Sequence, residues 1–330
     1  MNRKVSVAPM MDCTDRHERY FLRLISKNVL LYTEMIVSEA IDRGDKKKLL
    51  SFNLSEKPVA LQLGGSSPYL LGNASRIGEE FGYDEINLNL GCPSKKVQKN
   101  KFGACLIKEP NLVADCLNEM QTKTKLPVTV KTRIGYDDVE DYESLFNFIK
   151  LLKSTGVKTF IIHARKAMLG KFTPKQNLNI PPLKYDLVYK LKEDFNDLEI
   201  IINGGISSSE EIKKHLDKVD GVMLGRSIYH SPYMLADIEK EIFSNQNILS
   251  RQQVIKELVV YVKKEINKGT RMNQIMRHTL GLFHGQTGSS FWKKYLSENM
   301  CVRDADVQKI DHIMEKVKLA PQAHSVGNID

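Results

Sequence analysis

Short apolar segments alternate with amphipathic stretches of helical length along the first two thirds of the chain. Each apolar segment ends in polar or glycine-rich residues, a pattern typical of buried strands that alternate with helices in a parallel sheet. Eight such strands within about 225 residues match the length of a (β/α)8 TIM barrel, and we predict this α/β fold. A doubly wound open sheet is the alternative, but no G-x-G-x-x-G motif follows the first strand. The predicted strands cover residues 5–10, 30–37, 58–63, 85–90, 127–133, 159–163, 199–203 and 221–224.

The pattern changes after a short polar linker at residues 245–247. Ser250 and Gln253 fit a capping box that opens a helix, and Gly269 is expected to end that helix. No internal repeat other than the strand–helix alternation is present. Three further helices are predicted over residues 272–283, 290–300 and 304–319.

Two domains are therefore predicted: a barrel over residues 1–245 and an all-α helical bundle over residues 246–330. The chain has a net charge of +9, of which the residues from 251 onward carry +5. An excess of basic residues favours a polyanionic partner. In the bundle, basic residues also lie near aromatic ones, as in proteins that contact RNA backbones and bases. A bundle with solvated lysines is the alternative for this segment.

The cysteines are scattered and odd in number, and none forms a C-x-x-C pair, which argues against a disulfide framework or a zinc site and for a reducing, cytoplasmic setting. No apolar run approaches the roughly 20 residues of a membrane-spanning helix, so no membrane association is expected. The sequence gives no sign of a metal site or of an obligate protein partner. The cysteines are Cys13, Cys92, Cys105, Cys116 and Cys301.

The stretch at residues 87–94, NLNLGCPS, carries the most specific chemistry. Asn87 and Asn89 alternate with leucines, which predicts a strand with one apolar face and one amide-bearing face. Cys92 follows the end of this strand, and a lysine-rich loop follows Cys92. A thiol with amides and cations beside it indicates a site that acts on an anionic molecule, whereas a buried structural cysteine is the alternative.

In a TIM barrel the chemistry lies at the carboxyl ends of the strands, so the polar residues there are candidates for one common site. Lys131 would project into the barrel mouth, where burial is costly unless an anion accompanies the lysine. The loops after strands seven and eight form the recurrent phosphate site of these barrels. Their glycines let backbone N–H groups approach a phosphate, Arg226 adds a cationic fork, and Ser207 with Glu210 fits a capping box that opens the next helix.

The loop over residues 165–185 is unusually long for a barrel connection and is rich in lysine and proline. Long ordered loops in compact domains tend to be lids or binding arms, and the apolar residues within this one indicate that it packs.

Taken together, these residues resemble the tRNA-dihydrouridine synthase family, and within it the A-type enzymes that act on the D-loop. The matching stretches extend almost from end to end, and the N-x-N-x-G-C-P run is the most specific of them. They are residues 7–12 (VAPMMD), 14–17 (TDRH), 32–35 (YTEM), 87–94 (NLNLGCPS), 102–104 (FGA), 130–135 (VKTRIG), 163–166 (HARK), 203–206 (NGGI), 225–226 (GR), 277–278 (RH) and 281–283 (GLF).

The resemblance implies a barrel that binds FMN, a helical domain that binds tRNA, and reduction of uridine to 5,6-dihydrouridine at positions 20 and 20a with NADPH as the electron source. Cys92 would be the proton donor to uracil C5, while hydride would pass from FMN N5 to uracil C6. The implied FMN-binding residues are Pro9, Met10, Met11, Gln62, Lys131, His163, Asn203, Gly204, Gly205, Gly225 and Arg226. The residues assigned to RNA are Asn89, Lys95, Lys96, Lys175, Gln176, Lys293 and Lys294.

Two other functions share part of this pattern. An FMN barrel oxidoreductase for a small substrate, of the dihydroorotate dehydrogenase type, would need the flavin pocket but not the basic helical tail. An RNA-binding or barrel-lyase protein would need no flavin at all. The sequence does not distinguish the tRNA isoacceptors, position 20 from 20a, or NADPH from NADH.

Overall fold

The computed structural model describes residues 1–170 and 172–300, and the chain forms two compact units. The predicted helix over residues 304–319 lies outside the described residues, and so does Lys171 of the long loop. The predicted domain boundary after residue 245 stays a prediction. The first unit, called here the barrel unit, comprises Met1–Arg16 and Asn28–Gly225, and the second, the helical unit, comprises His17–Lys27 and the chain from Arg226 onward.

The barrel unit contains a closed parallel β-barrel, which confirms the predicted fold class. Along the sheet the order is β2-β1-β9-β8-β7-β6-β5-β4-β3, and a further pairing of β2 with β4 closes the ring. All of these pairings are parallel. The strands are β1 (Val5–Val7), β2 (Leu30–Tyr32), β3 (Ile36–Val37), β4 (Val59–Gly64), β5 (Glu85–Leu90), β6 (Val128–Arg133), β7 (Thr159–His163), β8 (Glu199–Asn203) and β9 (Gly221–Leu224).

The second predicted strand, at residues 30–37, is divided into β2 and β3. Between these strands the Thr33 hydroxyl accepts a hydrogen bond from the Gln62 backbone N–H at 3.0 Å. The Glu34 carboxylate accepts one from the Asp12 backbone N–H at 2.5 Å. Thr33 still donates its backbone N–H to the Ala60 carbonyl at 2.9 Å, but the Gln62 N–H donates to the Thr33 hydroxyl, and the apolar pattern alone does not reveal this break.

Helices follow most strands of the barrel unit, as the strand–helix alternation predicts. The capping box predicted at Ser207 and Glu210 is wrong by one residue. Ser208 caps α10 by accepting from the Glu211 N–H, and the Glu211 carboxylate accepts the Ser207 N–H. The helices are α2 (Ser38–Arg43), α3 (Lys46–Leu50), α4 (Pro68–Glu80), α5 (Lys95–Lys99), α6 (Pro110–Lys123), α7 (Tyr142–Ser154), α8 (Pro174–Asn177), α9 (Tyr185–Asp194) and α10 (Ser209–Leu216), with 3₁₀ turns at Leu54–Glu56 and Gly103–Lys108.

Strand residues of one parity share a face because side chains alternate along a strand. Ala60, Ile161 and Ile201 each precede a predicted site residue by two positions and belong to one buried apolar cluster. The buried apolar residues and the polar residues at the strand ends therefore lie on the same faces of the strands, with the apolar residues two positions earlier along each strand. The other members of the cluster are Ala8, Leu30, Tyr32 and Met223.

The helical unit is consistent with the all-α bundle expected from the C-terminal pattern. Ser250 and Gln253 form the predicted capping box at the start of α13. The Trp292 indole N–H donates to the Thr279 carbonyl at 2.8 Å, which satisfies its polar group inside the bundle. The helices are α1 (Arg16–Ile25, in this unit from His17 onward), α11 (Arg226–His230), α12 (Met234–Ile242), α13 (Arg251–Ile266), α14 (Met272–Met276) and α15 (Ser289–Asn299), with a 3₁₀ turn at Arg277–Gly281.

Among the helices within residues 1–170 and 172–300, none combines the length and the apolar character that crossing a bilayer requires.

Gly78 marks the closest approach of α4 to the strands beneath it. A Cβ added there would lie 2.7 Å from both Ile86 Cδ1 and Leu61 Cδ2. We expect Gly78→Ala to lower the free energy of unfolding by about 1–3 kcal/mol through overpacking, against a helix-propensity gain of about 1 kcal/mol. Urea denaturation measures the change.

Gly72→Ala in the same helix is the matched control. Its added Cβ would meet the flexible Glu119 side chain, with Cγ at 2.8 Å, and this side chain can move away. We expect little loss or a small gain in stability. Equal losses in the two variants would contradict the close packing of Gly78.

Candidate active site

The polar ends of neighbouring strands lie in register around one end of the barrel. Gln62 is paired with Asn87, and Asn89 with Lys131. His163 is paired with Arg133 on one side and with Asn203 on the other. The structure thereby brings together Gln62, Asn89, Lys131, His163 and Asn203, all of which the sequence assigned to one site.

Cys92 follows β5 on a loop whose backbone is held from two sides. Asn89 Oδ1 accepts the N–H groups of Gly91 at 3.1 Å and of Cys92 at 3.0 Å. The Cys92 carbonyl accepts the Ala104 N–H at 3.0 Å. Gly103, at φ +75°, is required here because an added Cβ would lie 2.7 Å from the Cys92 carbonyl oxygen. The thiol itself is half-buried and belongs to no disulfide.

Lys131 is buried in the barrel mouth, and its Nζ donates to Asn203 Oδ1 at 3.0 Å. Asn203 is oriented in turn by its Nδ2, which donates to the Met223 carbonyl at 2.8 Å. Burial, together with the nearby Arg133 cation, lowers the pKa of Lys131 to about 7. A neutral amide oxygen does not compensate a buried ammonium, so an anion bound beside Lys131 would stabilise its charged form.

Arg133 is also buried, although the sequence did not single it out as a site residue. Its Nε donates to the Gly91 carbonyl at 2.8 Å, and its Nη1 donates to the carbonyls of Lys166 at 3.1 Å and Asn177 at 3.4 Å. This guanidinium therefore joins the cysteine loop to the long loop after β7. Burial lowers the pKa of Arg133 to about 10.

The turn after β8 is built from Gly204 and Gly205, with φ of +122° and +76°. A Cβ at Gly204 would lie 2.8 Å from His163 Cδ2, so the backbone passes directly against the imidazole ring. The Tyr185 hydroxyl donates to the Gly204 carbonyl at 2.6 Å, a contact that sequence reasoning missed. Only glycine fits this pair of positions, because both have positive φ and a Cβ at either would meet a packed side chain.

The residues after β1 and β9 complete the candidate cofactor-binding set. Pro9 and Met10 are half-buried and Met11 is exposed. A Cβ at Gly225 would lie 3.6 Å from Met10 Sδ, so these two loops are neighbours. Arg226 is exposed and begins α11, in the helical unit.

The candidate RNA-binding residues other than Asn89 are all exposed. Lys95 and Lys96 lie on α5, which Ser94 caps by accepting the Val97 N–H at 3.2 Å. Lys175 and Gln176 lie on α8 in the long loop, where Gln176 Oε1 also accepts the Thr173 N–H at 2.9 Å. Lys293 and Lys294 lie on α15 of the helical unit.

Sequence reasoning missed a set of buried residues below the site. Glu85 precedes Asn87 by two positions, and Thr129 precedes Lys131 by two, so each shares a strand face with a residue that was recognised. This two-residue alternation along β5 and β6 was the sequence feature that could have identified Glu85 and Thr129. Arg3, which also belongs to the set, lies before the first strand and outside any motif.

Comparison with known proteins gives a consistent result. A model of the family described as Dihydrouridine synthase (Dus) matches residues 6–318. A Synechocystis protein named tRNA-dihydrouridine(20/20a) synthase is 49% identical over 315 residues, covering 95% of this chain and 94% of the relative. An Escherichia coli K12 protein of the same name is 50% identical over 316 residues, covering 95% of this chain and 91% of the relative.

Among solved structures, a complex of 2-naphthoyl-CoA reductase with 2-naphthoyl-CoA shares the fold at a TM-score of 0.53 and 12% identity. The match covers 76% of this chain and 51% of that protein. At this level of identity the similarity concerns the fold alone.

The buried Lys131 predicts an unusual dependence of stability on pH. Its pKa of about 7 in the folded, ligand-free protein lies below the unfolded value of 10.5, so the unfolded chain binds the extra proton between these values. The cost of burying the charge is complete below pH 7 and disappears above pH 10.5. We expect the stability of the wild type, measured relative to Lys131→Met by urea denaturation, to rise across this window.

Lys47→Met, at an exposed position on α3, is the control for loss of a lysine. Its stability relative to the wild type should not change with pH over the same range. A constant difference between the wild type and Lys131→Met would contradict the lowered pKa.

Proposed function

The chain belongs to the dihydrouridine synthase family, and from this premise we propose that it reduces uridine to 5,6-dihydrouridine at positions 20 and 20a of the tRNA D-loop. We further propose that FMN is its bound cofactor, that NADPH is the reductant, and that it acts in the cytoplasm. The observation that carries the proposal is the arrangement of Cys92, Asn89 and Lys131 at the ends of two adjacent strands. The names of relatives about 50% identical over 95% of the chain support the same substrate.

The residues present fit a flavin mononucleotide. The Lys131 ammonium donates to a neutral amide oxygen, and burial lowers its pKa to about 7, so an anionic ring edge or phosphate beside it would stabilise its charged form. Gly204 and Gly205 form a turn at positive φ directly after Asn203, and backbone N–H groups in such glycine turns can bind a phosphate. FMN would be held by the eleven residues assigned to it above, from Pro9 to Arg226. When bound, it would supply a hydride to uracil C6.

The chain's own contribution to the reaction is proton transfer and positioning. Addition of hydride at C6 makes C5 basic, and the Cys92 thiol would donate its proton to C5, so that H⁻ and H⁺ together saturate the C5=C6 bond. The thiolate that remains would then recover a proton from solvent. This is general-acid catalysis, and the fixed backbone of the Cys92 loop supports it by holding the sulfur in place.

Recognition of the nucleotide requires that the base leave the RNA stack, because a flavin in the barrel mouth is out of reach of a stacked base. Asn89 would then contact the uracil edge through its amide. The exposed lysines on α5, α8 and α15 would contact the phosphate backbone, which gives affinity without sequence preference.

Replacement of the Cys92 thiol tests its assignment as the general acid. We expect Cys92→Ala to bind FMN, seen as yellow absorbance, but to lose about 10²–10⁴-fold in turnover, because that is the usual contribution of a positioned general acid. Dihydrouridine is quantified by mass spectrometry of the tRNA after reaction with NADPH.

Cys105→Ala is the matched control. Cys105 is also half-buried in the barrel unit, and its thiol donates to the Phe102 carbonyl at 3.1 Å. Its turnover should stay within about twofold of the wild type, since surface-proximal substitutions of this kind are usually small in effect. Near-normal dihydrouridine formation by Cys92→Ala would end the proton-donor assignment.

Salt dependence tests the RNA contacts. The association constant for tRNA falls as salt concentration rises, and each lysine–phosphate contact makes the slope of its logarithm against log salt concentration steeper by nearly one. Lys95→Ala with Lys96→Ala should therefore make that slope shallower by about 2. Filter binding of tRNA at several salt concentrations measures it. The double variant Lys47→Ala with Lys48→Ala, on exposed α3, carries the same charge change and should leave the slope unaltered. Equal slopes in both variants would remove α5 from the RNA-binding surface.

A further inference from the structure

A continuous chain of hydrogen bonds descends from the cysteine loop into the barrel interior. At its upper end Asn89 Oδ1 accepts the backbone N–H groups of Gly91 and Cys92. Asn89 Nδ2 donates to Gln62 Oε1 at 2.8 Å, and Gln62 Nε2 donates to Asn87 Oδ1 at 2.8 Å. Three side-chain amides are therefore linked head to tail, and all three are buried.

The lower end of this chain is a buried carboxylate. Asn87 Nδ2 donates to the Thr129 hydroxyl at 2.9 Å, and that hydroxyl donates to Glu85 Oε1 at 2.6 Å. The Tyr32 hydroxyl donates to the same oxygen at 2.6 Å, and Arg3 Nε donates to Glu85 Oε2 at 2.6 Å. Glu85 is fully buried, and three donors converge on its two oxygens.

The two ends fix the direction of every bond between them. Glu85 accepts, so the single proton of Thr129 points down and its lone pairs face Asn87. Asn87 must then present Nδ2 to Thr129 and Oδ1 to Gln62, and the same alternation passes through Gln62 to Asn89. The backbone N–H groups at the top impose the same direction independently, because they can only donate. The side-chain NH₂ groups of Gln62 and Asn89 each donate one hydrogen to this series of hydrogen bonds, which leaves the second hydrogen of each group for another acceptor.

We propose that Glu85 and Thr129 are positioning residues that, together with the backbone N–H groups of Gly91 and Cys92, hold the donor orientation of Gln62 and Asn89, so that the barrel mouth offers amide N–H groups to the carbonyl oxygens of its ligands. This inference rests on the proposed function and deepens it. A uracil ring carries an oxygen at C4 and accepts such a donor, whereas cytosine carries an amino group there and would set N–H against N–H. The selection of uracil over cytosine thus depends in part on the Glu85 carboxylate, which Thr129 and Asn87 connect to Gln62 through three hydrogen bonds.

The barrel base supplies a closely matched pair of variants. Thr159 Oγ1 donates to Glu199 Oε2 at 2.7 Å, and Arg3 Nη1 donates to the same oxygen at 2.9 Å. Thr129→Val and Thr159→Val therefore each remove one threonine–glutamate bond next to Arg3 without changing side-chain shape. Only Thr129 is linked to the amides, because its hydroxyl also accepts from Asn87 Nδ2. If the threonine–glutamate bond alone mattered, the two variants would have similar effects.

We expect Thr129→Val to raise the dissociation constant for FMN about fivefold or more and to lower kcat/KM on tRNA about tenfold or more, as loss of oriented hydrogen bonds in a buried site does. Thr159→Val should stay within about twofold of the wild type in both. Thr129→Ser, which restores the hydroxyl, should return both quantities to near the wild-type values. Flavin fluorescence quenching gives the first quantity independently of turnover.

Glu85→Gln provides the second test should Thr129→Val not fold, because it removes an acceptor oxygen and should give the same two losses. Equal effects of the two valine variants, or no rescue by serine, would overturn the positioning role while leaving the activity of the wild type in place. A wild-type protein that takes up no FMN and forms no dihydrouridine would overturn the proposed function and this inference together.

Discussion

The burial of the Glu85 carboxylate is the constraint on which the barrel interior depends. An ionised group in a dry interior costs several kcal/mol unless hydrogen bonds and an opposite charge replace its water. Here Arg3, Tyr32 and Thr129 supply three donors at 2.6 Å, including a guanidinium. Burial lowers the pKa of Arg3, but Glu85 and Glu199 raise it more, while burial and then Glu85 raise the pKa of Tyr32 well above its usual value. The strands that carry Tyr32 and Thr129, and the segment before β1 that carries Arg3, are therefore favoured in the register in which all three donors reach the carboxylate.

The mouth of the barrel is arranged in the opposite way. Lys131 is also buried, but its ammonium donates to the neutral amide oxygen of Asn203, and burial together with the Arg133 cation lowers its pKa to about 7. The base of the barrel is electrostatically complete without a ligand, whereas the mouth gains its missing charge only from an anion. A ligand that supplies this charge stabilises the fold by mass action, because the unfolded chain has no such site.

Some features of the barrel and its site can be predicted from the sequence because they produce a pattern of apolar and polar residues within one strand, whereas contacts between strands produce no such pattern. Seven strands and the barrel class follow from apolar segments of strand length, and the amides of β5 follow from its period of two. The break between β2 and β3 does not, because it is made by the side chains of Thr33 and Glu34 from contacts across strands. The relation of Glu85 to Thr129 was hidden for a similar reason. Each lies on a predictable strand face, but their contact depends on the stagger between strands, which no single strand encodes.

Arg133 shows how a site can keep a positive field without losing its own hydrogen bonds. Its guanidinium donates to the carbonyls of Gly91, Lys166 and Asn177, which satisfy its N–H groups without neutralising its charge. Burial lowers the pKa of Arg133 to about 10, against the opposing electrostatic effect of Cys92, so this guanidinium stays charged near neutral pH. In the proposed reaction the thiol is neutral before it donates its proton and anionic afterwards. The fixed Arg133 cation therefore stabilises the product of the proton transfer more than its reactant, and charge that is fixed before the reaction needs no reorganisation during it.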